Sequence, residues 1–394
     1  MATQTTETRG ALARCVEPID DAEFLADYWE QRPLAVPRAE EGRFDDLLSV
    51  ADVERLVCSG GLRYPALRMV KEGGQIRLAE YATDLNWRPD PFTGVADPDR
   101  VAAAFEQGAT IVLQALHLSW APVARFCRRL EAELGYPAQA NSYYTPRDSQ
   151  GFAVHHDTHD VFVLQVAGEK HWRIYDPLWE LPLKQQRYSK ELGEHGRPVL
   201  ELTLRAGDTL YLPRGWLHDA LTSETDSLHI TVGVNVHTWI DAVRAALDEC
   251  EDDVEFRRSV PADGEMQVDL LGRLAERLTP DAVARRRRRR FVDSRRPILD
   301  GQLEEVRALS ALGVDTMVER RPTAIADLDG TTLSFEGKHV TFPDHVREEL
   351  EAVATAGEPF CAADLPGDLD DESRLVLLRR LIREGFLRRS PAGA

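Results

Sequence analysis

The chain has 394 residues, of which 43% are hydrophobic and 29% are charged, a composition that is ordinary for a globular protein. No apolar stretch reaches the ~20 residues that a membrane-spanning helix needs, and residues 1–10 lack the apolar core of a signal peptide. We therefore expect a soluble, cytoplasmic protein with no membrane partner. The net charge of −19 disfavours nucleic acid as a partner and favours a basic one.

The five cysteines lie far apart and form no C-x-x-C pair. This spacing argues against a zinc ribbon and against a disulfide framework. We expect them to be small buried side chains in a reducing compartment.

The amino-terminal part mixes helical and strand patterns. Helical spacing and capping signals predict helices at 21–29, 98–105 and 121–134, and apolar runs predict strands at 32–37 and 108–113.

Between Asn141 and Val236 the pattern changes to short β-rich runs separated by Gly, Pro and Asp, which is typical of a sandwich or barrel. The runs 161–166 and 170–175 flank Ala167-Gly168-Glu169 and predict a hairpin with glycine in its loop. Further strands are expected at 199–204, 209–212 and 227–234. Their number favours an α+β protein built on a double-stranded β-helix, the cupin jelly roll.

Helical patterning returns at Thr238. One helical face carries an apolar stripe formed by Trp239, Val243, Ala246 and Leu247, so we expect a homodimer contact here, with packing inside one subunit as the alternative. The arginine run 285–290 is expected to be an exposed helix face or a subunit contact.

Three domains follow from these patterns. We predict a β-rich domain with an amino-terminal α/β elaboration at 1–237, a helical dimerisation domain at 238–315 and a winged-helix-like domain at 316–394.

An H-x-D motif is the strongest candidate for a metal site. Only His155 among the eleven histidines is followed two positions later by an acidic residue, Asp157. Because side chains at i and i+2 of a strand point the same way, these two can hold one ion. A non-haem iron(II) site needs one more histidine, and we expect His218, which follows a short strand and a Pro/Gly turn.

Other ligand sets remain open at this stage. His229 and His237 are alternatives to His218, and Asp157 can instead be paired with His159. The strand of His229 begins after the turn that should deliver the ligand, so we interpret His229 as a residue that lines the same cavity.

Several segments resemble the JmjC-type ribosomal oxygenases: residues 141–146, 149–151, 155–165, 168–172 and 212–215, together with His218. The resemblance extends more loosely to residues 28–34 and to the order of elements after Thr238. It implies an Fe(II)- and 2-oxoglutarate-dependent oxygenase that hydroxylates a His or Arg side chain of a ribosomal protein or another basic protein or peptide.

The same resemblance implies roles for single residues. Lys170 would bind the far carboxylate of 2-oxoglutarate, and Thr231 would add a hydroxyl. Asn141 and Tyr143 would face the substrate. Gly233 departs from close relatives, which often carry serine there. Two alternative functions stay open: a cupin-type binding or regulatory protein without oxygenase turnover, and a hydroxylase that tailors a peptide natural product.

Overall fold

The computed structural model describes residues 10–38, 40–86, 88–265 and 268–390. It divides into two compact units, one ending at Val236 and the other beginning at His237. Residues 1–9 and 391–394, at the outer ends of the first and third predicted domains, lie outside the described residues. Within the described ranges, no helix combines the length and the apolar character needed to cross a membrane.

The helices of the first unit, as far as it is described, are α1 (Ala11–Val16), α2 (Asp21–Asp27), α3 (Val50–Ser59), α4 (Leu78–Tyr81), α5 (Pro98–Glu106), α6 (Leu116–Ser119) and α7 (Ala121–Leu134). Its strands are β1 (Leu34–Val36), β2 (Leu67–Lys71), β3 (Gly74–Gln75), β4 (Ala82–Leu85), β5 (Phe92–Ala96), β6 (Thr110–Leu113), β7 (Ala138–Thr145), β8 (Asp160–Tyr175), β9 (Leu200–Arg205), β10 (Thr209–Leu212), β11 (Leu217–Leu221) and β12 (Ser227–Val234).

Strand β8 organises the jelly roll. Its first half pairs antiparallel with β10 and β12 in a large sheet of order β1-β10-β8-β12-β7-β6-β2-β3. Its second half pairs antiparallel with β9 and β11. Because β8 takes part in both sheets, it joins the two halves of the double-stranded β-helix, and the α+β jelly roll expected from the sequence is present.

The core follows from alternation along β8. Phe162 and Leu164 belong to the large apolar cluster that also contains residues of α1, α2 and α7. Val161 and Val163 point to the opposite face, where they join a second cluster with Trp172 of the same strand. Successive side chains of a strand face opposite sides, so β8 serves two cores, and the second one lies between the two halves of the jelly roll.

The hairpin predicted at Ala167-Gly168-Glu169 is wrong, because β8 runs unbroken from Asp160 to Tyr175. Gly168 has φ +62°, and a Cβ placed on it would lie 1.8 Å from the carbonyl oxygen of Asp226. The glycine therefore allows a sharp bend and a close approach of the neighbouring chain instead of a chain reversal.

Other predicted elements agree with the structure. The bounds predicted for α7, β10 and β12 are those observed, and β9 is shifted by one residue. The capping signal before the helix predicted at 98–105 is Asp97, and its side chain accepts a hydrogen bond from the backbone N–H of Arg100 at 3.3 Å.

The helices of the second unit, within its described part, are α8 (Trp239–Cys250), α9 (Leu270–Glu276), α10 (Pro280–Asp293), α11 (Gln302–Arg307), α12 (Arg347–Thr355) and α13 (Asp371–Glu384). Its strands are β13 (Val318–Arg320), β14 (Ala326–Asp329), β15 (Thr332–Phe335), β16 (Lys338–Thr341) and β17 (Leu387–Arg389). Strands β14, β15 and β16 form an antiparallel sheet, and β13 pairs with β17. The order of short strands, two helices and a last strand is the one expected for a winged-helix-like segment.

The residues of the apolar stripe predicted on α8 differ in exposure. Trp239 is 75% exposed and Leu247 is 46% exposed, but Ala246 is completely buried. Ala246 therefore cannot contribute to a contact with a second copy, and the exposed apolar residues of α8 are Trp239, Leu247 and also Ile240.

Candidate metal centre

The structure brings His155, Asp157 and His218 together, with one ligand atom of each lying within 4.8 Å of the others. We expected the H-x-D motif on a strand, but it lies in the irregular segment before β8. Two backbone hydrogen bonds hold it: His155 N–H donates to the His218 carbonyl at 3.1 Å and His218 N–H donates to the His155 carbonyl at 2.9 Å. The two histidines are thus paired through their backbones.

Further contacts fix the carboxyl end of this segment. The Gly215 N–H donates to the Asp157 carbonyl at 3.0 Å, and the Arg214 guanidinium contacts the buried Asp160 carboxylate at 3.1 Å. Tyr211 donates a hydrogen bond to the same carboxylate at 2.8 Å. Residues 212–215 therefore contact the stretch that contains His155 and Asp157 and hold it in place. They also lead directly into β11, which carries His218.

Hydrogen bonds select the tautomer of both histidines. The Nδ1 atom of His155 lies 2.9 Å from the Ala153 carbonyl oxygen, and that of His218 lies 3.1 Å from the Trp216 carbonyl oxygen. A carbonyl oxygen can only accept, so each Nδ1 carries the proton and each Nε2 keeps a free lone pair. The Nε2 of His218 lies 3.9 Å from the Asp157 carboxylate, which leaves room for an ion between them.

The protonation states also suit a cation. Burial, together with the nearby His155, lowers the pKa of His218 to about 4, so its imidazole is neutral near pH 7. Burial acts to raise the pKa of Asp157, but the neighbouring histidines, His159 first among them, together outweigh it, and the pKa lies below its usual value. Two imidazoles and one carboxylate are the donor set that Fe(II) takes in non-haem oxygenases.

The competing ligand sets are not assembled. Among the residues that the structure describes, His155, Asp157 and His218 form the only group of three or more His, Cys, Asp or Glu with this geometry, and neither His229, His237 nor His159 joins it.

A nearby carboxylate, that of Asp219, is already engaged. Arg173 Nε donates to it at 3.0 Å, Tyr175 Oη at 3.2 Å and Gln150 Nε2 at 3.3 Å. Since its oxygens are occupied, Asp219 does not compete with Asp157 for an ion.

All seven residues singled out from the sequence line one cavity of about 270 Å³. The lining also includes His229, as predicted, and His159, the alternative partner of Asp157. The lining residues that were not predicted are Arg68, Thr110, Gly151, Phe152, Val161, Val163, Trp172, Asp219 and Ala220. The pocket thus combines the metal triad with polar groups from β7, β8 and β12.

Lys170 enters this cavity as a buried cation. Its side chain is 5% exposed, and its ammonium donates a hydrogen bond to the Thr145 hydroxyl at 2.9 Å. Burial lowers the pKa of Lys170 to about 7. An ammonium that has one neutral partner in a buried site is well placed to bind an incoming carboxylate.

Strands β7 and β12 also contribute residues to the cavity lining. Thr231 is directly opposite Asn141 in the ladder, and His229 is opposite Tyr143. The rings of Tyr143 and His229 stack with centroids 5.0 Å apart, and burial raises the pKa of Tyr143. The Asn141 side-chain oxygen accepts from the backbone N–H of Ala115 at 2.9 Å, which fixes the side chain.

Two of the residues missed from the sequence carried a usable signal. Thr145 lies on β7 at i+2 from Tyr143, and Trp172 lies on β8 at i+2 from Lys170, so each shares a face with a residue that was selected. Arg68 carried no such signal, because it lies on β2, far from the motifs in the sequence.

Comparison with known proteins supports the interpretation of this fold and site. Residues 115–242 match the family model of the JmjC domain. Ribosomal oxygenase 1 of Gallus gallus is 34% identical over 257 residues, which cover 63% of this chain and 41% of that protein. The bifunctional lysine-specific demethylase and histidyl-hydroxylase NO66 of Drosophila persimilis is 34% identical over 222 residues, 56% of this chain and 31% of that protein. The matched part of the chain thus spans less than half the length of these two relatives.

A solved structure shares the fold over nearly the whole chain. The Escherichia coli ribosomal oxygenase YcfD in complex with cobalt and 2-oxoglutarate superposes with a TM-score of 0.57 at 16% identity, covering 95% of this chain and 99% of that chain. The family match, the two relatives and the assembled triad lead to one assignment: residues 115–242 match the JmjC domain, and the chain is similar to proteins named ribosomal oxygenases.

Proposed function

We propose that the protein is an Fe(II)- and 2-oxoglutarate-dependent oxygenase that hydroxylates a side chain of another protein. The observation that carries the proposal is that one cavity is lined both by the candidate metal triad, His155, Asp157 and His218, and by the buried ammonium of Lys170. A binding module without turnover has no need for an open three-ligand site. The solved relative with cobalt and 2-oxoglutarate supports the same combination of ligands.

Each group of residues has a task in this proposal. Iron and 2-oxoglutarate, when bound, would supply the oxidation of a C–H bond by dioxygen, with 2-oxoglutarate converted to succinate and CO₂. His155, Asp157 and His218 would hold the metal through their free Nε2 and carboxylate atoms. Lys170 would bind the far carboxylate of 2-oxoglutarate, with the hydroxyl of Thr231 beside it.

The substrate side chain would approach along the wall formed by Asn141 and Tyr143. Both residues line the cavity, and the hydrogen bond from Ala115 orients the Asn141 amide. A ribosomal protein is the first candidate substrate, on the names of the relatives, and either a His or an Arg side chain is the candidate target. The net charge of −19 supports a basic partner, because opposite charges speed association.

Mass spectrometry of ribosomal proteins tests the proposal. Proteins from cells with and without the gene should differ by about 16 Da, one oxygen atom, on a single peptide. Fragmentation of that peptide would identify the residue. Identical spectra from the two strains, in cells that express the protein, would count against a ribosomal substrate.

We also propose a homodimer that forms through the helices after Thr238, in a cytoplasmic protein. Support for the dimer comes from the exposed Trp239, Ile240 and Leu247 on α8, since apolar side chains grouped on a surface favour association. Support for a reducing compartment comes from the cysteines, which are all free thiols.

A further inference from the structure

The imidazole of His159 lies directly against Gly233, and this contact depends on the absence of a side chain at Gly233. A Cβ placed on Gly233 would lie 2.8 Å from Cε1 and 2.9 Å from Nδ1 of the His159 ring. A Cβ atom does not approach other heavy atoms so closely, so any other residue at position 233 would displace the ring. His159 and Gly233 are therefore a matched pair.

The pair belongs to the cavity wall. His159 lines the cavity that contains the metal triad. Gly233 is on β12 at i+2 from Thr231, so it belongs to the same face of the strand as this lining residue. In the ladder Gly233 is opposite Val161, which also lines the cavity. The ring thus occupies the volume that a side chain at position 233 would otherwise fill.

His159 has hydrogen-bonding capacity that the rest of the protein does not use. Its Nδ1 atom is buried, and no hydrogen-bond partner for it exists among the described residues. Its Nδ1 edge packs against Gly233, so a ligand in the cavity would meet the remaining polar edge of this cavity-lining ring. The metal is not that ligand, because His159 lies outside the group of three ligands.

We propose that His159 is a specificity-determining residue that hydrogen-bonds the substrate side chain through its imidazole, and that Gly233 makes room for it. The inference rests on the proposed function and adds the chemistry of recognition. An imidazole nitrogen donates or accepts one hydrogen bond, so it selects a polar target side chain such as an imidazole, an amide or a guanidinium over an aliphatic one. A serine at position 233 would offer a hydroxyl instead and would remove the imidazole from this place.

The test compares His159→Leu, His159→Asn and Gly233→Ser with the wild type and with His171→Leu. His171 is a matched control because it lies on β8 but does not line the cavity. The probe is the total ribosomal protein of a strain that lacks the gene, and the readouts are KM and kcat for incorporation of one oxygen atom. Calorimetry with Mn(II) and 2-oxoglutarate measures the metal and cosubstrate sites separately.

For His159→Leu we expect KM to rise roughly tenfold, as for the loss of one hydrogen bond, with kcat and the Mn(II) and 2-oxoglutarate affinities unchanged. His159→Asn, whose amide keeps a polar group at this position, should restore part of the KM. Gly233→Ser should raise KM as His159→Leu does, because the new side chain would displace the His159 ring. His171→Leu should behave as the wild type.

Two results would overturn the inference. One is an unchanged KM in both His159→Leu and Gly233→Ser. The other is a parallel loss of Mn(II) affinity, which would make His159 a positioning residue for the metal site. A wild type that incorporates no oxygen would refute the proposed function. An active wild type whose variants keep its KM would refute only the role of His159.

Discussion

Replacing Lys170 with alanine is the sharpest perturbation of the cosubstrate site. The ammonium is 5% exposed, and its hydrogen bond goes to the neutral Thr145 hydroxyl. A carboxylate bound there would make a charge-assisted hydrogen bond worth ~1.5–3 kcal/mol. The affinity for 2-oxoglutarate should therefore fall by about ten- to a hundredfold.

The assay is calorimetric titration of the Mn(II)-loaded protein with 2-oxoglutarate. Lys184→Ala is the control, because Lys184 is an exposed lysine of the same unit, and it should bind as the wild type does. Mn(II) affinity should be the same in Lys170→Ala, since Lys170 is not among the metal ligands. An unchanged affinity of Lys170→Ala for 2-oxoglutarate would refute the assignment and move the role to another residue.

Three further predictions concern proton uptake, the fold and assembly. Burial lowers the pKa of Lys170 to about 7, and a bound carboxylate would raise this pKa. Binding of 2-oxoglutarate at pH 8 should therefore take up a proton, and the affinity should weaken as pH rises above 7. Equal binding heats in two buffers of different ionisation enthalpy would contradict this. Gly168→Ala should destabilise the protein by ~1–3 kcal/mol, because the Cβ of the alanine would collide with the Asp226 carbonyl. An unchanged denaturant midpoint would show that the backbone at this position does not need glycine. Trp239→Asp should convert the proposed dimer to a monomer in light scattering, whereas a wild type that is already monomeric at micromolar concentration would rule the dimer out.

The sequence predicted the parts of the fold that local patterns determine. The bounds of α7, β10 and β12 follow from periodicity and from turn residues, and they were right. The continuity of β8 through Gly168 could not be predicted, because it depends on Asp226, a residue 58 positions away by sequence number, whose backbone leaves room only for glycine. Local turn chemistry predicted a hairpin, and tertiary packing produced a bend.

Local motifs likewise predicted part of the site, and contacts between distant strands determined the rest. The three residues of the candidate metal centre were singled out because H-x-D is short and unique in the chain. The structure brings them together, although the motif lies outside a strand and is held by backbone pairing with His218. The interpretation of His229 as a cavity-lining residue agrees with the structure. Arg68 and the contact between His159 and Gly233 could not be predicted, because sequence spacing carries no information on which residues of distant strands meet across a cavity.

Succinate formation from 2-oxoglutarate, in air and with added Fe(II), tests the central claim most directly. The wild type should form succinate only when Fe(II) is present. Asp157→Ala removes one of the three metal ligands, and it should form none, because two imidazoles alone do not make the three-ligand site. Succinate formation by Asp157→Ala at the rate of the wild type would contradict the claim that this triad holds the metal.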